Sequence, residues 1–317
     1  MKNKTLIVAL TILISVSLII GCGKKKSTAP TDEDQIKSLL ESSAYEGGFV
    51  TDDGTTTPYQ SPSYWPTGIR GVTMPDTLPQ VHFCRRINPD SSSRTINVQI
   101  PAPGGGSGTA LVTITRNLVG LFYVEQDPFD GPPPDYTRSI HDVSTRKIYL
   151  EKMPNVGWRI VKISPAEFVT QNPPYTITIN QIEAWGSSGT YPKFTLTTAD
   201  TLLKKNELPT FASGDEVTVK VSVTVSPDSC WAFLHRWGRV WGHHRQPFFH
   251  DPGTTYDFTR TWKIADDNIP SYPAVRHAVV DIIGWQALFG DSTATYNSKA
   301  WALPYIVKSS TSETAPE

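Results

Sequence analysis

The chain has 317 residues, enough for two domains of ordinary size, and 38% of them are apolar, so it can bury a core. Its formal net charge of −1 gives no overall attraction to phosphate backbones, which argues against nucleic acid as a partner. Its 26 prolines interrupt regular elements often, so we expect few helices.

The first 22 residues have the pattern of a secretory signal peptide. Two lysines near the start precede an apolar run at residues 6–20, and Gly21 and Cys22 follow it. A membrane-spanning helix needs about 20 apolar residues, so this run is short for one. We therefore predict a signal peptide at residues 1–22. An uncleaved signal anchor, with the lysines at 24–26 as its flank, is the alternative.

The end of this leader, IIGC at residues 19–22, resembles the lipobox of bacterial lipoproteins. In that family the cysteine is acylated on its thiol and becomes the new N-terminus after cleavage, so the resemblance implies that Cys22 carries a lipid anchor. Two or more acyl chains hold a protein stably on a membrane. The resemblance thus implies a lipid-anchored protein of the cell envelope. Gly23 stands where an aspartate would resemble an inner-membrane retention mark, which favours the outer membrane if the cell has one.

The first folded element is expected directly after the leader. Residues 23–31, GKKKSTAPT, are small, polar and charged, which predicts a flexible tether. Thr31 and Asp34 have the spacing of a helix capping box, with Asp in place of the usual Glu or Gln. Three apolar residues follow at helical spacing. The pattern predicts one short amphipathic helix that ends near Ser43.

An antiparallel sheet is predicted to follow this helix. Six segments are short, rich in β-branched or aromatic residues and separated by turn residues. They are VHFCRRI, RTINVQI, TALVTITRN, LVGLFYVEQ, TRKIYLEKM and VGWRIVKIS. We predict an α+β domain of one helix on an antiparallel sheet at residues 32–165.

A lone helix followed by strands that end in GWRIVKISPAEF resembles the cystatin-like and NTF2-like α+β folds. In these folds a helix packs into a curved sheet. The sequence has no Asp/His dyad placed as in the NTF2-like enzymes. The resemblance therefore implies a fold and not an enzymatic role.

The second half of the chain is predicted to be a β-sandwich. Residues 166–174, which end in Asn-Pro-Pro, are predicted to be a linker. In the segment EVTVKVSVTVS, five valines alternate with polar residues, which indicates a strand with one buried face. The segments CWAFLHRWG, TTYDFTRTWKI, VRHAVVDIIGW and AWALPYIV help to complete about seven strands.

The order of these strands resembles bacterial immunoglobulin-like or fibronectin-type modules. The valine-rich strand leads through Pro227 and Asp228 to a strand with a tryptophan, Trp231, expected to be buried. The resemblance implies an immunoglobulin-like β-sandwich at residues 175–308, with a disordered tail at 309–317. The predicted fold class is thus mainly β: a small α+β domain followed by an immunoglobulin-like β-sandwich.

Two cysteines besides Cys22 lie in different predicted domains. A disulfide between Cys84 and Cys230 would need Cα atoms within about 7 Å of each other. Two buried thiols are therefore the favoured alternative, while a disulfide stays open.

The richest chemical stretch is residues 234–251, LHRWGRVWGHHRQPFFHD, which holds four of the seven histidines. Converging imidazoles would suit zinc, although neighbouring arginines would repel a cation. A hairpin tip that exposes aromatic residues and arginine would suit a sugar or a protein partner. An aromatic core with packed arginines is the third interpretation. The candidate binding residues are Trp237, Trp241, His243, His244, Arg245, Phe249 and His250.

No motif of a known catalytic type is found in the sequence. There is no Gly-x-Ser-x-Gly and no His-Glu-x-x-His, and no cofactor or metal is predicted. Asp281 lies on the same alternation as Val279 and Ile283, which favours pairing with His277 or an arginine over catalysis. We predict a non-enzymatic envelope lipoprotein with a binding or structural role, whose partners are the membrane and an envelope protein or glycan. A carbohydrate-binding or metal-binding protein that uses residues 234–251 is the alternative.

Overall fold

The structure is a computed structural model and describes residues 30–43, 81–101, 108–125, 134–238, 242–251, 254, 256–264 and 273–309. The predicted signal peptide with Cys22, the tether up to residue 29 and the predicted tail from residue 310 lie outside these ranges. Within them the chain is mainly β, and one helix is longer than two turns.

Two α-helices and seventeen strands lie within the described residues. The helices are α1 (Asp32–Ser42) and α2 (Trp285–Phe289). The strands, numbered along the chain, are β1 (His82–Ile87), β2 (Ser93–Gln99), β3 (Thr109–Glu125), β4 (Tyr136–Met153), β5 (Gly157–Ile163), β6 (Ala166–Thr170), β7 (Thr176–Gly186), β8 (Phe194–Leu196), β9 (Leu203–Lys204), β10 (Thr210–Ala212), β11 (Glu216–Ser226), β12 (Cys230–Gly238), β13 (Gly242–Pro247), β14 (Phe249–His250), β15 (Asp257–Lys263), β16 (Ala274–Gly284) and β17 (Ser298–Lys308).

Helix α1 begins and ends where the sequence predicts. Thr31 Oγ1 accepts a hydrogen bond from the Asp34 backbone N–H at 3.2 Å, and the Asp34 carboxylate accepts one from the Thr31 backbone N–H at 3.1 Å. The predicted capping box is therefore confirmed. Ile36 and Leu40 are one turn apart on the buried face and pack into the core.

The start of α1 is tied to β4 and β5. Asp32 Oδ1 accepts hydrogen bonds from Lys152 Nζ at 2.7 Å and from Trp158 Nε1 at 3.1 Å. These hydrogen bonds hold the pKa of Asp32 below its ordinary value. The helix thus lies on the antiparallel sheet, as predicted.

The larger sheet is built on β3 and β4, which pair along almost their whole lengths. Strands β1 and β2 share one edge of β3, and β5 and β6 share the far edge of β4. The prediction divides β3 into two strands near Asn117, but the ladder continues there, with Asn117 opposite Val143. Gly120 marks a close approach of backbones and not a turn, because a Cβ at that position would clash with the Arg86 carbonyl.

The two predicted domains share this sheet. Strand β6 pairs with β4 on one edge and with β17 on the other, so the sheet continues through β17, β16, β12 and β13. The predicted linker at 166–174 differs from the structure in its first five residues, which form β6. Ala166 and Phe168 are buried there, because alternation along the strand turns both toward the core. The predicted boundary therefore falls within one hydrogen-bonded sheet.

A second sheet packs on the C-terminal half of the larger one. Its strand order is β14, β15, β11, β7 and β8. The five alternating valines of β11 are all buried, as predicted. Between the sheets, the ring centroid of Trp231 on β12 lies 5.7 Å from that of Phe258 on β15. The predicted fold class is confirmed at this level: a mainly β chain with one helix on an antiparallel sheet, followed by a β-sandwich.

The larger sheet curls until its first strand lies against its last ones. Phe83 on β1 and Phe233 on β12 have ring centroids 5.0 Å apart. Arg245 on β13 donates a hydrogen bond from Nη1 to the Phe83 carbonyl at 2.5 Å. Three buried charged or titratable side chains, Arg85, His235 and Asp281, meet on the inner face of this curl.

Cys84 on β1 and Cys230 on β12 are both free and buried. The favoured alternative of two buried thiols is therefore confirmed. Burial raises the pKa of the Cys230 thiol to about 12, so it stays protonated and unreactive near neutral pH.

Candidate functional site

A cluster of charged and polar side chains lies inside the curl, between β1 and the strands β12 and β16. Its centre is an ion pair in which Arg85 Nη1 and Nη2 donate to the two carboxylate oxygens of Asp281 at 2.6 and 3.1 Å. His235 Nε2 lies 2.8 Å from Asp281 Oδ2, and Ser298 Oγ donates to Asp281 Oδ1 at 2.9 Å. Asp281 thus pairs with an arginine, one of the two partners that the sequence predicts for it.

A second carboxylate extends the cluster to β4. Tyr296 accepts a hydrogen bond from Arg85 Nε at 2.8 Å and donates one to Asp142 Oδ2 at 3.1 Å. Thr170 Oγ1 donates to Asp142 Oδ1 at 2.9 Å and accepts from the Ser298 backbone N–H at 2.9 Å. The cluster therefore joins strands from both halves of the chain.

The two carboxylates have pKa values that move in opposite directions. Burial raises the pKa of Asp142 to about 6, and the charge of Arg85 with the hydrogen bonds from Thr170 and Tyr296 offsets only part of this effect. Burial acts on Asp281 in the same sense, but direct contact with Arg85 and His235 outweighs it and holds the pKa of Asp281 well below its usual range. Burial also raises the pKa of Tyr296 far above its usual value, so the phenol stays protonated.

The cluster contains residue types that enzymes use, and all of its side chains are buried. The seven side chains are each 6% exposed or less. Both carboxylates accept hydrogen bonds from within the cluster, so each has polar partners there. The arrangement therefore holds strands together. Its members are Arg85, Asp142, Thr170, His235, Asp281, Tyr296 and Ser298.

Arg138 on β4 fixes the segment between β16 and β17. Its guanidinium is buried and donates hydrogen bonds of 2.6–3.0 Å to four backbone carbonyls. These carbonyls lie in the last turn of α2 or shortly after it. The last carbonyls of a helix have no partners within the helix. They belong to Ala287, Gly290, Asp291 and Ala294.

This segment forms one wall of an open cleft of about 640 Å³. Pro174 and Tyr175, with the turn of Pro227 and Asp228, form the rest of its lining. The Asp228 carboxylate accepts a hydrogen bond from the Gln286 backbone N–H at 3.3 Å. Pockets that bind small molecules span about 300–1,000 Å³, so the cleft has the size of a ligand site. The lining residues from the wall segment are Gln286, Asp291, Thr293, Ala294 and Thr295.

The structure describes three of the seven side chains predicted for binding. Arg245 contacts β1, with its guanidinium carbon 3.9 Å from the Phe83 ring centroid. Phe249 lies on β14 in the other sheet and is 39% exposed, and the guanidinium carbon of Arg260 lies 5.0 Å from its ring centroid. Arg245 and Phe249 therefore have different neighbours and do not form one site.

His250, next to Phe249, packs its ring edge-on against Phe258 at 5.4 Å between centroids. In the backbone pairing of β12 and β13, Trp237 is opposite His243, and Arg236 is opposite His244. The side chains of Trp237, His243 and His244, and all of Trp241, lie outside the described part of the chain. Binding through these four residues stays a prediction.

A metal site would need several His, Cys, Asp or Glu side chains close together. Among the residues that the structure describes, no group of three or more such side chains could hold a metal ion. Between the two sheets of the sandwich lies an apolar cavity of about 50 Å³, which is well below the volume of a usual ligand pocket. The open cleft is thus the larger of these two candidate ligand sites.

Sequence reasoning finds Asp281 but misses Arg85, Arg138 and Asp142. The available signal is alternation: in HFCRRI, Arg85 is in register with the buried Phe83. Strand β4 shows the same alternation of buried positions, and these inward positions include polar as well as apolar residues. Those positions are Arg138, Ile140, Asp142, Ser144, Arg146, Ile148 and Leu150.

No protein-family model matches the chain, and no curated protein matches it. Within the described ranges, neither α-helix combines the length and the apolar character that crossing a bilayer requires.

Proposed function

We propose that the protein is a bacterial envelope lipoprotein, held on a membrane by lipid on Cys22, with a non-enzymatic binding or structural role. The observation that carries the proposal is the IIGC ending of an apolar leader, nine residues before Thr31 caps the first helix. Nine extended residues span roughly 30 Å, so the folded body follows the anchor closely. The outer membrane is the proposed location where the cell has one, because Gly23 is not an aspartate.

The anchor is tested by the mass of the mature N-terminus. The chain, expressed with its leader in a bacterial host, is expected to lose residues 1–21, to carry acyl groups on Cys22 and to float with membranes on a density gradient. The Cys22→Ser variant should not be acylated, whereas Ser27→Ala in the predicted tether should behave as wild type. A bare thiol at position 22 with the leader still attached would overturn the proposal.

We also propose that the sandwich is of the immunoglobulin type. The strand order supports this, since β7, β11, β15 and β14 correspond to strands A, B, E and D, and β12, β16 and β17 to strands C, F and G. In variable domains the B–C and F–G connections carry binding loops. Here the equivalent connections, at Pro227 and Asp228 and at residues 286–295, line the open cleft. The cleft is therefore the proposed site for an envelope protein or glycan.

Binding of a glycan at the cleft is tested on a glycan array. A signal from the wild-type chain should be lost when Thr293→Arg places a long side chain over the cleft. Thr190→Arg, on the exposed connection between β7 and β8, is the matched control and should keep the signal. An array signal that survives Thr293→Arg would exclude the cleft as the glycan site.

A second candidate function is carbohydrate binding through residues 234–251. It is favoured by the 39% exposure of Phe249, whose ring is open enough to stack on a sugar. On the same array, Phe249→Ala should then abolish the signal while Thr293→Arg leaves it unchanged. The opposite result would assign binding to the cleft.

A further inference from the structure

Exposed apolar side chains gather at one end of the sheet that carries α1. Ile100, Met153 and Val156 are 40%, 37% and 58% exposed. Ile100 directly follows β2, Met153 ends β4, and Val156 lies in the turn between β4 and β5. We call these three residues the apolar tip.

The strand register places Ile100 and Met153 at the same end of the sheet but on opposite faces, because Ile100 follows the alternation of Ala110 and Leu150 and Met153 follows that of Tyr149. Gln99, next to Ile100, is opposite Leu111 of β3. Leu111 is opposite Tyr149 of β4, four residues before Met153. Neighbouring strands are about 4.8 Å apart, so β2 and β4 are separated by roughly 10 Å at this end of the sheet.

The chain enters the folded body at the same end. Asp32, the first residue of α1, is bonded to Lys152 Nζ at 2.7 Å, and Lys152 precedes Met153. Trp158, which donates to Asp32 at 3.1 Å, follows Val156 by two residues. The segment that leads back to Cys22 therefore leaves the body beside the apolar tip.

The acidic residues at the start of α1 each have a hydrogen-bonding or ion-pair partner. Asp32 is paired with Lys152, and Glu33 forms an ion pair with Lys37 at 2.6 Å. The Asp34 carboxylate accepts from the Thr31 backbone N–H at 3.1 Å as part of the capping box. Lysines therefore balance the charge of two of these three carboxylates, which reduces repulsion toward anionic headgroups.

We propose that the apolar tip rests on the lipid bilayer to which Cys22 is anchored. This rests on the proposed function, because the anchor is what keeps the tip near the membrane. A tether of nine residues confines the body to within about 30 Å of the bilayer, which raises the effective concentration of the tip at the surface. Aliphatic side chains leave water when they enter the boundary between headgroups and acyl chains.

The opposite end of the molecule then faces away from the membrane. Arg138 lies fifteen residues before Met153 on β4, which corresponds to roughly 50 Å along a strand. Arg138 holds the segment that lines the open cleft, so the cleft is at this far end. A membrane-bound tip would leave the cleft open to a partner.

A fluorescent probe at the tip tests this orientation. Val156→Cys in the full-length, acylated protein is labelled with an environment-sensitive fluorophore and reconstituted in vesicles of phosphatidylethanolamine and phosphatidylglycerol. We expect blue-shifted emission and quenching by spin-labelled lipid. A probe at Thr293→Cys, on the cleft, is the matched control and should show neither. The unsubstituted chain reports background labelling of Cys84 and Cys230, which are buried.

Two results would overturn the proposal in different ways. Flotation with the vesicles without quenching at position 156 would refute the contact and leave the lipid anchor standing. Failure to float would refute both the anchor and the contact. As a further check, Ile100→Asp with Met153→Asp should reduce quenching at position 156 on the order of tenfold while flotation is kept. Unchanged quenching in that variant would show that these two side chains do not hold the tip on the membrane.

Discussion

The two aspartates of the buried cluster differ in pKa because only one of them is in direct contact with Arg85 in the hydrogen bonds described above. Asp281 accepts two hydrogen bonds from Arg85 directly, at 2.6 and 3.1 Å, and its carboxylate stays charged. Asp142 is linked to Arg85 through the hydroxyl of Tyr296, and burial outweighs the charge of Arg85 there, so the pKa of Asp142 rises to about 6. Two carboxylates in one cluster therefore affect stability at different pH.

The raised pKa of Asp142 predicts a pH-dependent stability. Because the folded pKa exceeds the ordinary value of 3.8, Asp142 stabilises the fold below pH 4, and this contribution is lost as the pH rises through about 6. A shift of this size corresponds to about 3 kcal/mol. The free energy of unfolding of Asp142→Asn, minus that of wild type, should therefore rise by up to about 3 kcal/mol between pH 4 and pH 7. Urea titrations across this range measure it.

Asp200→Asn is the control for this titration, since Asp200 forms an exposed ion pair with Lys147. Its difference from wild type should be small across the same range. A flat difference for Asp142→Asn would show that Asp142 is charged in the folded protein at pH 5.

The ion pair of Arg85 and Asp281 predicts strong coupling between its partners. Removing either side chain leaves the other as a buried charge without its ion-pair partner, so Arg85→Met or Asp281→Leu should each cost about 3–5 kcal/mol. The double variant should cost much less than the sum, because both charges of the ion pair are removed together. A double-mutant cycle by chemical denaturation measures the coupling, and additive losses would contradict it.

At the scale of elements, local signals decide what the sequence can predict. Helix α1 is predicted because Thr31 and Asp34 form its cap from three residues apart, and β11 because its valines alternate without interruption. Strand β4 is only partly predicted, since Arg138 and Asp142 occupy inward positions where apolar residues are expected. Ala287 and Tyr296, which bond to these two side chains, are about 150 residues away along the chain, and no local pattern shows them.

Loss of the Arg138 guanidinium is predicted to disorder one segment and not the whole protein. Arg138→Met leaves four backbone carbonyls without their donor, so the segment from α2 to Ala294 should open before the rest of the protein. Hydrogen exchange followed by mass spectrometry should show faster exchange there, by at least tenfold. Arg138→Lys should rescue it only in part, because lysine lacks the planar fork.

The matched control for Arg138→Met is Arg159→Met, since Arg159 is exposed on β5. It should leave exchange in the α2 segment unchanged. Equal exchange of this segment in Arg138→Met and wild type would show that the guanidinium does not hold it.

At the scale of the whole molecule, the sequence predicts the fold class but not how the halves join. The prolines after Asn172 predict a joint between two domains, whereas β6 lies before them and pairs with both β4 and β17. The open cleft is likewise assembled from separate stretches at 174–175, 227–228 and 286–295. Only the folded chain brings these together, so motif spacing gives no sign of the cleft.

The continuous sheet predicts that both halves unfold together. Phe168 on β6 is 2% exposed and packs with Ala166, Val279, Ala300 and Ala302 at the junction. Calorimetry should therefore show one transition, with equal calorimetric and van't Hoff enthalpies. Phe168→Ala should lower the midpoint of that single transition by roughly 5–10 °C, since it leaves a cavity at the junction of the two halves. The control Val156→Ala, at an exposed position, should shift it little. Two transitions, with only one lowered by Phe168→Ala, would mean that the halves are independent in spite of their shared strands.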